Sequence, residues 1–172
     1  MLVLIISICI VALDQITKLA IRDAFMLGQE KVIIPGLFSL RFVRNTGAAW
    51  GVFQGGTHWL VLFSFVMLGV LLVFRKHFFR PDLGSRLAMG LILGGILGNL
   101  IDRVHLSFVV DFLDFYIGSH HFPSFNVADS AICVGVGLYF IMHVLFEPDP
   151  PVDKQAVCLD ADGSSEHPVT KA

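Results

Sequence analysis

The sequence predicts an all-α membrane protein of four transmembrane helices, with a small β-structured excursion in the first outer loop. Three observations carry that prediction. Of 172 residues, 55% are hydrophobic and only 15% charged, with a mean hydropathy of +0.77. That is too little charge to clothe a soluble domain of this length. The apolar residues are also gathered into four uncharged stretches, 2–13, 58–74, 87–101 and 130–146. Between the first two, Phe38, Leu40 and Phe42 alternate with Ser39 and Arg41, the two-residue period of a strand with one apolar face.

A bilayer crossing needs about 20 mostly apolar residues, and no uncharged stretch alone is that long. The first span therefore runs through Asp14 and Lys18, covering about residues 2–21. It has neither the basic start nor the small-residue cleavage site of a secretion signal, so it is expected to be retained. The second span, 58–74, contains no acid. The third, 87–104, takes in Asn99, Asp102 and Arg103, and the fourth, 126–146, opens on Asn126 and includes Asp129. Gly90, Gly94 and Gly98 recur every fourth residue and Asp102 continues their row. Such a face lets two helices approach closely in lipid. Asp102 and Arg103 fit a charged pair capping that seam as well as they fit a site, and Asp14 and Lys18 have the spacing of a helical ion pair.

Orientation follows from the links. "RKHFFRPDLGSR" places Arg75, Lys76, Arg80 and Arg86 between spans two and three, whereas residues 104–125 contain no Lys or Arg beyond the end of span three. By the positive-inside rule the former link and both termini are cytoplasmic. Lys31, Arg41 and Arg44 in the first outer loop are a weaker, contrary signal. At about 1.5 Å per residue, Asp14 then lies roughly 12 Å below the outer end of span one. Asn99, Asp102 and Asp129 fall near the same level, and Asp111 and Asp114 of "VVDFLDF" lie on the second outer connection. Independent anchors would have no reason to agree on a depth. Pro35-Gly36 opens the strand in the first loop, and Asn45 and Gly47 suit a tight turn after it. Residues 1–146 form a single membrane domain with a net charge of +2. The remainder, 147–172, has six acids, two lysines and four prolines and is expected to be a disordered cytoplasmic tail.

Several chemistries are set aside. The seven histidines show no HExxH, and no serine sits in a GxSxG turn. Cys9, Cys133 and Cys158 lack metal-ligand spacing, and the first two are expected to be small buried hydrophobes. No basic cluster is interleaved with aromatics, so nucleic acid is not an expected partner. What remains is carboxylates. Two held close do not ionise together: one keeps its proton while the other takes a proton from water. That suits peptide hydrolysis, and paired membrane acids also serve ion pathways. The cytoplasmic halves offer little besides Ser64 and His143, which favours a site open to one face over a path through the membrane. A scaffold explains the glycine seam but leaves Asp111 and Asp129 without a purpose.

"DQITK" (14–18), "NTGAAWG" (45–51), "GNLIDR" (98–103), "VVDF" (109–112) and "FNVADS" (125–130), in this order and spacing, resemble bacterial lipoprotein signal peptidase, or signal peptidase II. The resemblance covers about residues 10–145. It implies a four-helix inner-membrane aspartyl protease with an extracytoplasmic β-cradle and no metal or organic cofactor. Its substrates would be diacylglyceryl-modified prolipoproteins at the lipid surface, cut before the lipidated cysteine by a monomer. Carried over by motif, Asp111 and Asp129 would be the catalytic pair. Asp14, Lys18, Asn45, Gly47, Asn99, Asp102, Arg103, Asn126 and Ala128 would shape the site or hold substrate. Asp114 and Asp23 match no catalytic position. Trp50 stands where Phe is also familiar, and the family does not need the acidic tail.

Overall fold

The computed structural model describes residues 1–47, 53–78 and 82–145. Ala48, Ala49, Trp50 and Gly51 of the second motif, Arg80 of the basic link and the acidic tail lie outside the described residues. The elements run α1 (Leu2–Ala24), β1 (Glu30–Ile34), β2 (Phe38–Asn45), α2 (Thr57–Val73), the single turn α3 (Arg75–Phe78), α4 (Leu83–Leu106), β3 (Val109–Ile117), β4 (His120–His121) and α5 (Val127–Leu145).

Helix α1 is inside out by the standards of a soluble protein. Its buried residues are Ser7, Asp14, Lys18 and Ile21, while Leu4, Ile5, Ile8, Leu13, Ile16 and Leu19 are exposed. A helix buries polar groups and shows apolar ones only where its surroundings are apolar too. α1 and α4 are each long and apolar enough to cross a membrane; α2 and α5 contain shorter apolar stretches.

Helix α4 is the hub, packing against α1 on one side and α5 on the other. The expected glycine seam faces α1: a Cβ on Gly94 would stand 2.8 Å from the Cβ of Ile10. A second seam, beyond the one expected, faces α5, where a Cβ on Gly135 would come within 2.7 Å of Ile92. α4 starts earlier than residue 87 because Asp82 caps it, accepting the Ser85 N–H at 2.8 Å. It ends at Ser107, whose φ of 65° turns the chain directly into β3. Thr57 Oγ1 donates to the Ser107 carbonyl at 2.9 Å and fixes that corner.

The β-structure corrects one expectation. It is not confined to the link between α1 and α2. β1 and β2 come from that link, but β3 and β4 come from the link between α4 and α5, and the four form one antiparallel sheet in the order β1-β2-β3-β4. Consequently Asp111 sits within a paired strand rather than on a flexible connection. The sheet packs on the helix ends through Ile21, Phe42, Val110 and Phe112. Cys9 and Cys133 are also corrected, since both are exposed on their helices rather than buried.

Candidate active site

Asp111 is placed by a strand and a β-bulge. Opposite Phe125, two residues of β3 occupy the place of one: the N–H groups of Phe112 and Leu113 both donate to the Phe125 carbonyl, at 3.0 and 2.8 Å. In a regular strand Asp111 and Asp114 would face opposite sides. β3 is covered on both faces, so Val109, Val110, Asp111, Phe112 and Asp114 are all buried, and its register against β2 shifts between Leu40 and Val43.

Asp129 is placed by the start of α5. Asn126 precedes the helix and Asp129 is its third residue. The Asp129 N–H donates to Asn126 Oδ1 at 3.0 Å, and the Asn126 N–H donates back to Asp129 Oδ2 at 3.3 Å. This reciprocal capping box satisfies two helix-terminal donors and fixes the carboxylate at the helix end. The next free amide, on Ala128, donates to Asp14 Oδ1 at 2.9 Å. Only small side chains fit here: a Cβ on Gly98 would lie 2.7 Å from Asp14 Oδ2 and 3.2 Å from the Ala128 Cβ.

Two asparagines join the acids. Asn126 Nδ2 donates to Asp111 Oδ1 at 2.7 Å and to Asn99 Oδ1 at 3.2 Å. Asn99 Nδ2 donates to Asp129 Oδ1 at 2.7 Å. Asn45 Nδ2 holds the other oxygen of Asp111 at 2.9 Å, while its own Oδ1 accepts the Gly47 N–H. Behind them Lys18, 2% exposed, donates to Asn99 Oδ1 at 3.0 Å and pairs with Asp14 and Asp102 at 2.8 and 3.1 Å. All three ammonium protons are thereby used, and the Asn99 amide is oriented with its NH2 toward Asp129. Asp102 also accepts the Val110 N–H at 3.0 Å, tying α4 to β3. Its buried partner is thus Lys18, whereas Arg103 donates to the Gly47 carbonyl at 3.3 Å.

Asp111 and Asp129 both line a cleft of about 660 Å³, together with Asn45, Arg103, residues 122–125 and Ile132. Burial, and next the facing carboxylate of Asp129, push the Asp111 carboxyl up to about 7, despite the opposing hydrogen bonds of Asn45 and Asn126 and the charge of Lys18. One carboxyl poised to hold a proton beside another is the arrangement that acid–base chemistry at neutral pH requires.

Residues 6–146 match the family profile described as Signal peptidase (SPase) II. The chain belongs to the signal peptidase II family. Its relatives include the lipoprotein signal peptidase of Symbiobacterium thermophilum, 44% identical over 86% of this chain and 97% of that protein. That of Syntrophotalea carbinolica is 46% identical over 80% and 88%. A solved bacterial membrane enzyme superposes with a TM-score of 0.74 at 32% identity, covering 98% of this chain and 94% of its own.

In this family member, the structure gathers Asp14, Lys18, Asn45, Gly47, Asn99, Asp102, Asn126, Ala128 and the two candidate catalytic aspartates into one continuous network, with Arg103 attached through Gly47. Asp23 is exposed and takes no part. Sequence reasoning missed Gln15, whose Nε2 bridges Asp14, the Gly98 carbonyl and Asp102 at 3.1–3.2 Å. Its place beside Asp14 in "DQITK" was the available signal. It also missed Thr57, and Ser39, His121 and Ser124 around Asp114, for which no local pattern speaks.

Proposed function

We propose that this family member is an aspartyl endopeptidase that removes the signal peptide from diacylglyceryl-modified prolipoproteins, cutting before the lipidated cysteine. The observation that carries the reading is the meeting of Asp111 and Asp129 on one cleft, each held by an asparagine that is bonded to the other's. In this mechanism the pair shares one proton at neutral pH, carried by Asp111 when substrate binds. Ionised Asp129 takes a proton from a water molecule in the cleft, and that water attacks the scissile carbonyl. Asp111 gives its proton to the carbonyl oxygen. As the tetrahedral gem-diol collapses and its C–N bond breaks, the proton taken by Asp129 passes to the leaving amine and one hydroxyl proton returns to Asp111, which restores the starting pair. Lys18 and Arg103 keep the pair from adding to an unbalanced negative cluster.

In this reading α1, α2, α4 and α5 all span the bacterial inner membrane, with both termini cytoplasmic and the sheet cradling substrate at the periplasmic surface. The exposed apolar faces of α1, α2 and α5 support that setting, and the link between spans two and three, with its four basic residues, lies on the cytoplasmic side. The enzyme acts as a monomer, and its substrate's acyl chains remain in lipid beside the bundle while the peptide bond reaches the dyad.

The test is a gel assay with purified protein, a diacylglyceryl prolipoprotein and its unmodified form. Only the modified form is expected to be cut. Asp111→Asn and Asp129→Asn are each expected to lower turnover by roughly 10²–10⁴-fold with helix content and detergent elution unchanged. Full activity in either variant sinks the dyad, and ion flux in liposomes without cleavage sinks the protease.

A further inference from the structure

Asp114 is a buried carboxylate that the dyad does not use. It is 1% exposed and lies beside the active site, yet it touches none of the network around Asp111. Its partners come from two directions. On the sheet side, Ser39 Oγ of β2 donates to Oδ2 at 3.1 Å. On the cleft side, His121 Nδ1 of β4 lies 2.8 Å from Oδ2, and Ser124 Oγ donates to Oδ1 at 3.3 Å. His121 is itself stacked on Tyr116, with ring centroids 5.0 Å apart.

The segment so held is the cleft wall. Phe122, Pro123, Ser124 and Phe125 line the cleft, and the next residue is Asn126, which contacts Asp111 and caps the helix carrying Asp129. Besides the Asp114 contacts, the wall is tied to β3 at its two ends: the Phe122 N–H donates to the Phe115 carbonyl, and Phe125 bonds Phe112 and Leu113 through its backbone and stacks on Phe115. β4 is two residues long and joins β3 through a turn at Gly118, whose φ is +61°. Two residues of pairing are a weak hold, and a charge-assisted pair is about twice as strong as a neutral hydrogen bond.

We propose that Asp114 is a positioning residue that latches the 122–125 wall of the substrate cleft against β3 through His121 and Ser124, and so sets how tightly substrate is held. Its effect on cleavage rests on the protease reading; the latch itself does not. Two readouts separate them.

The first is amide hydrogen exchange in the detergent-solubilised full chain, with no substrate present. His121→Phe keeps the ring over Tyr116 and removes the nitrogen. It is expected to raise exchange across residues 119–125, by roughly tenfold for a lost charge-assisted bond, and to leave β1 and β2 unchanged. Unchanged exchange in that segment overturns the latch. The second is steady-state cleavage of a diacylglyceryl prolipoprotein. His121→Phe and Ser124→Ala are expected to raise KM several-fold with kcat held within about threefold. Ser39→Ala, which cuts only the sheet-side bond, leaves KM in place. If Ser39→Ala is as harmful as His121→Phe, or if all three lower the active fraction with KM constant, Asp114 only holds the sheet together and the proposal fails. Absence of cleavage by the unaltered enzyme would refute the protease reading, while the exchange result would still decide the latch.

Discussion

Each oxygen of Asp111 accepts an amide N–H, from Asn126 at 2.7 Å and from Asn45 at 2.9 Å. Both bonds favour the ionised form, yet burial and the facing Asp129 outweigh them and bring the carboxyl up to about 7. The sign is therefore clear. On the proposed mechanism, below that pH Asp111 keeps the proton that it gives to the carbonyl oxygen, and above it the proton is lost. kcat/KM is expected to fall about tenfold for each pH unit on the alkaline side. Asn45→Ala deletes a donor that stabilises the carboxylate, so the group should hold its proton to still higher pH. The alkaline limb then moves up in pH even as the rate falls. A pH–rate profile of both proteins checks this, and a limb that does not move, or moves down, would take the proton away from Asp111.

Among the elements, α4 shows how little room the site leaves. A Cβ on Gly98 would meet Asp14 Oδ2 at 2.7 Å, and Asp14 holds both Lys18 and the Ala128 N–H at the start of α5. Gly98→Ala is expected to cost about 1–3 kcal/mol of stability by overpacking and to lower turnover by displacing the end of α5. Gly69→Ala on α2, where an added Cβ meets nothing within 4 Å, should change neither. Thermal unfolding in detergent, paired with turnover of each variant, separates the two. The helices were legible in the sequence because their signals are local: apolar length, the Gly90-Gly94-Gly98 row, and Asn126 three residues before Asp129. β3 was not legible, although "VVDFLDFYI" was in plain view. Its pairing is with β2, some 70 residues earlier, and because both faces of β3 are covered no apolar–polar alternation announces a strand. Asp114 stayed hidden because its partners Ser39, His121 and Ser124 are ordinary residues in sequence, and only Ser39 reaches it through the pairing with β2. Cys9 and Cys133 were misplaced for a different reason. Residence in an apolar run does not say which face of a lipid-exposed helix a residue occupies.

At the scale of the whole molecule, the helices hold polar groups such as Asp14, Lys18 and Asn99 inside and carry many large apolar side chains outside, and this placement makes a sharp prediction about neighbouring residues. Asp14 is 0% exposed and accepts N–H groups from Lys18, Gln15 and Ala128, so its charge is compensated by the bundle. Leu13, the residue before it, is 51% exposed and points away from every such donor. In water, Leu13→Asp would be a surface change worth no more than about 0.5 kcal/mol. In a bilayer, a lone carboxylate near the middle of a span costs about 2.5–3.5 kcal/mol, with nothing in the lipid to repay it. The variant is therefore expected to lose much of its carbonate-resistant membrane fraction while Asp14→Leu, at the adjacent position, keeps that fraction and instead loses activity. The two substitutions differ by one place in the chain and by about 100° around the helix. If Leu13→Asp inserts as well as the unaltered chain, α1 does not face hydrocarbon there. The buried Lys18 cluster would then have to be explained as the interior of a protein standing in water, where so many exposed leucines and isoleucines have no physical reason to be.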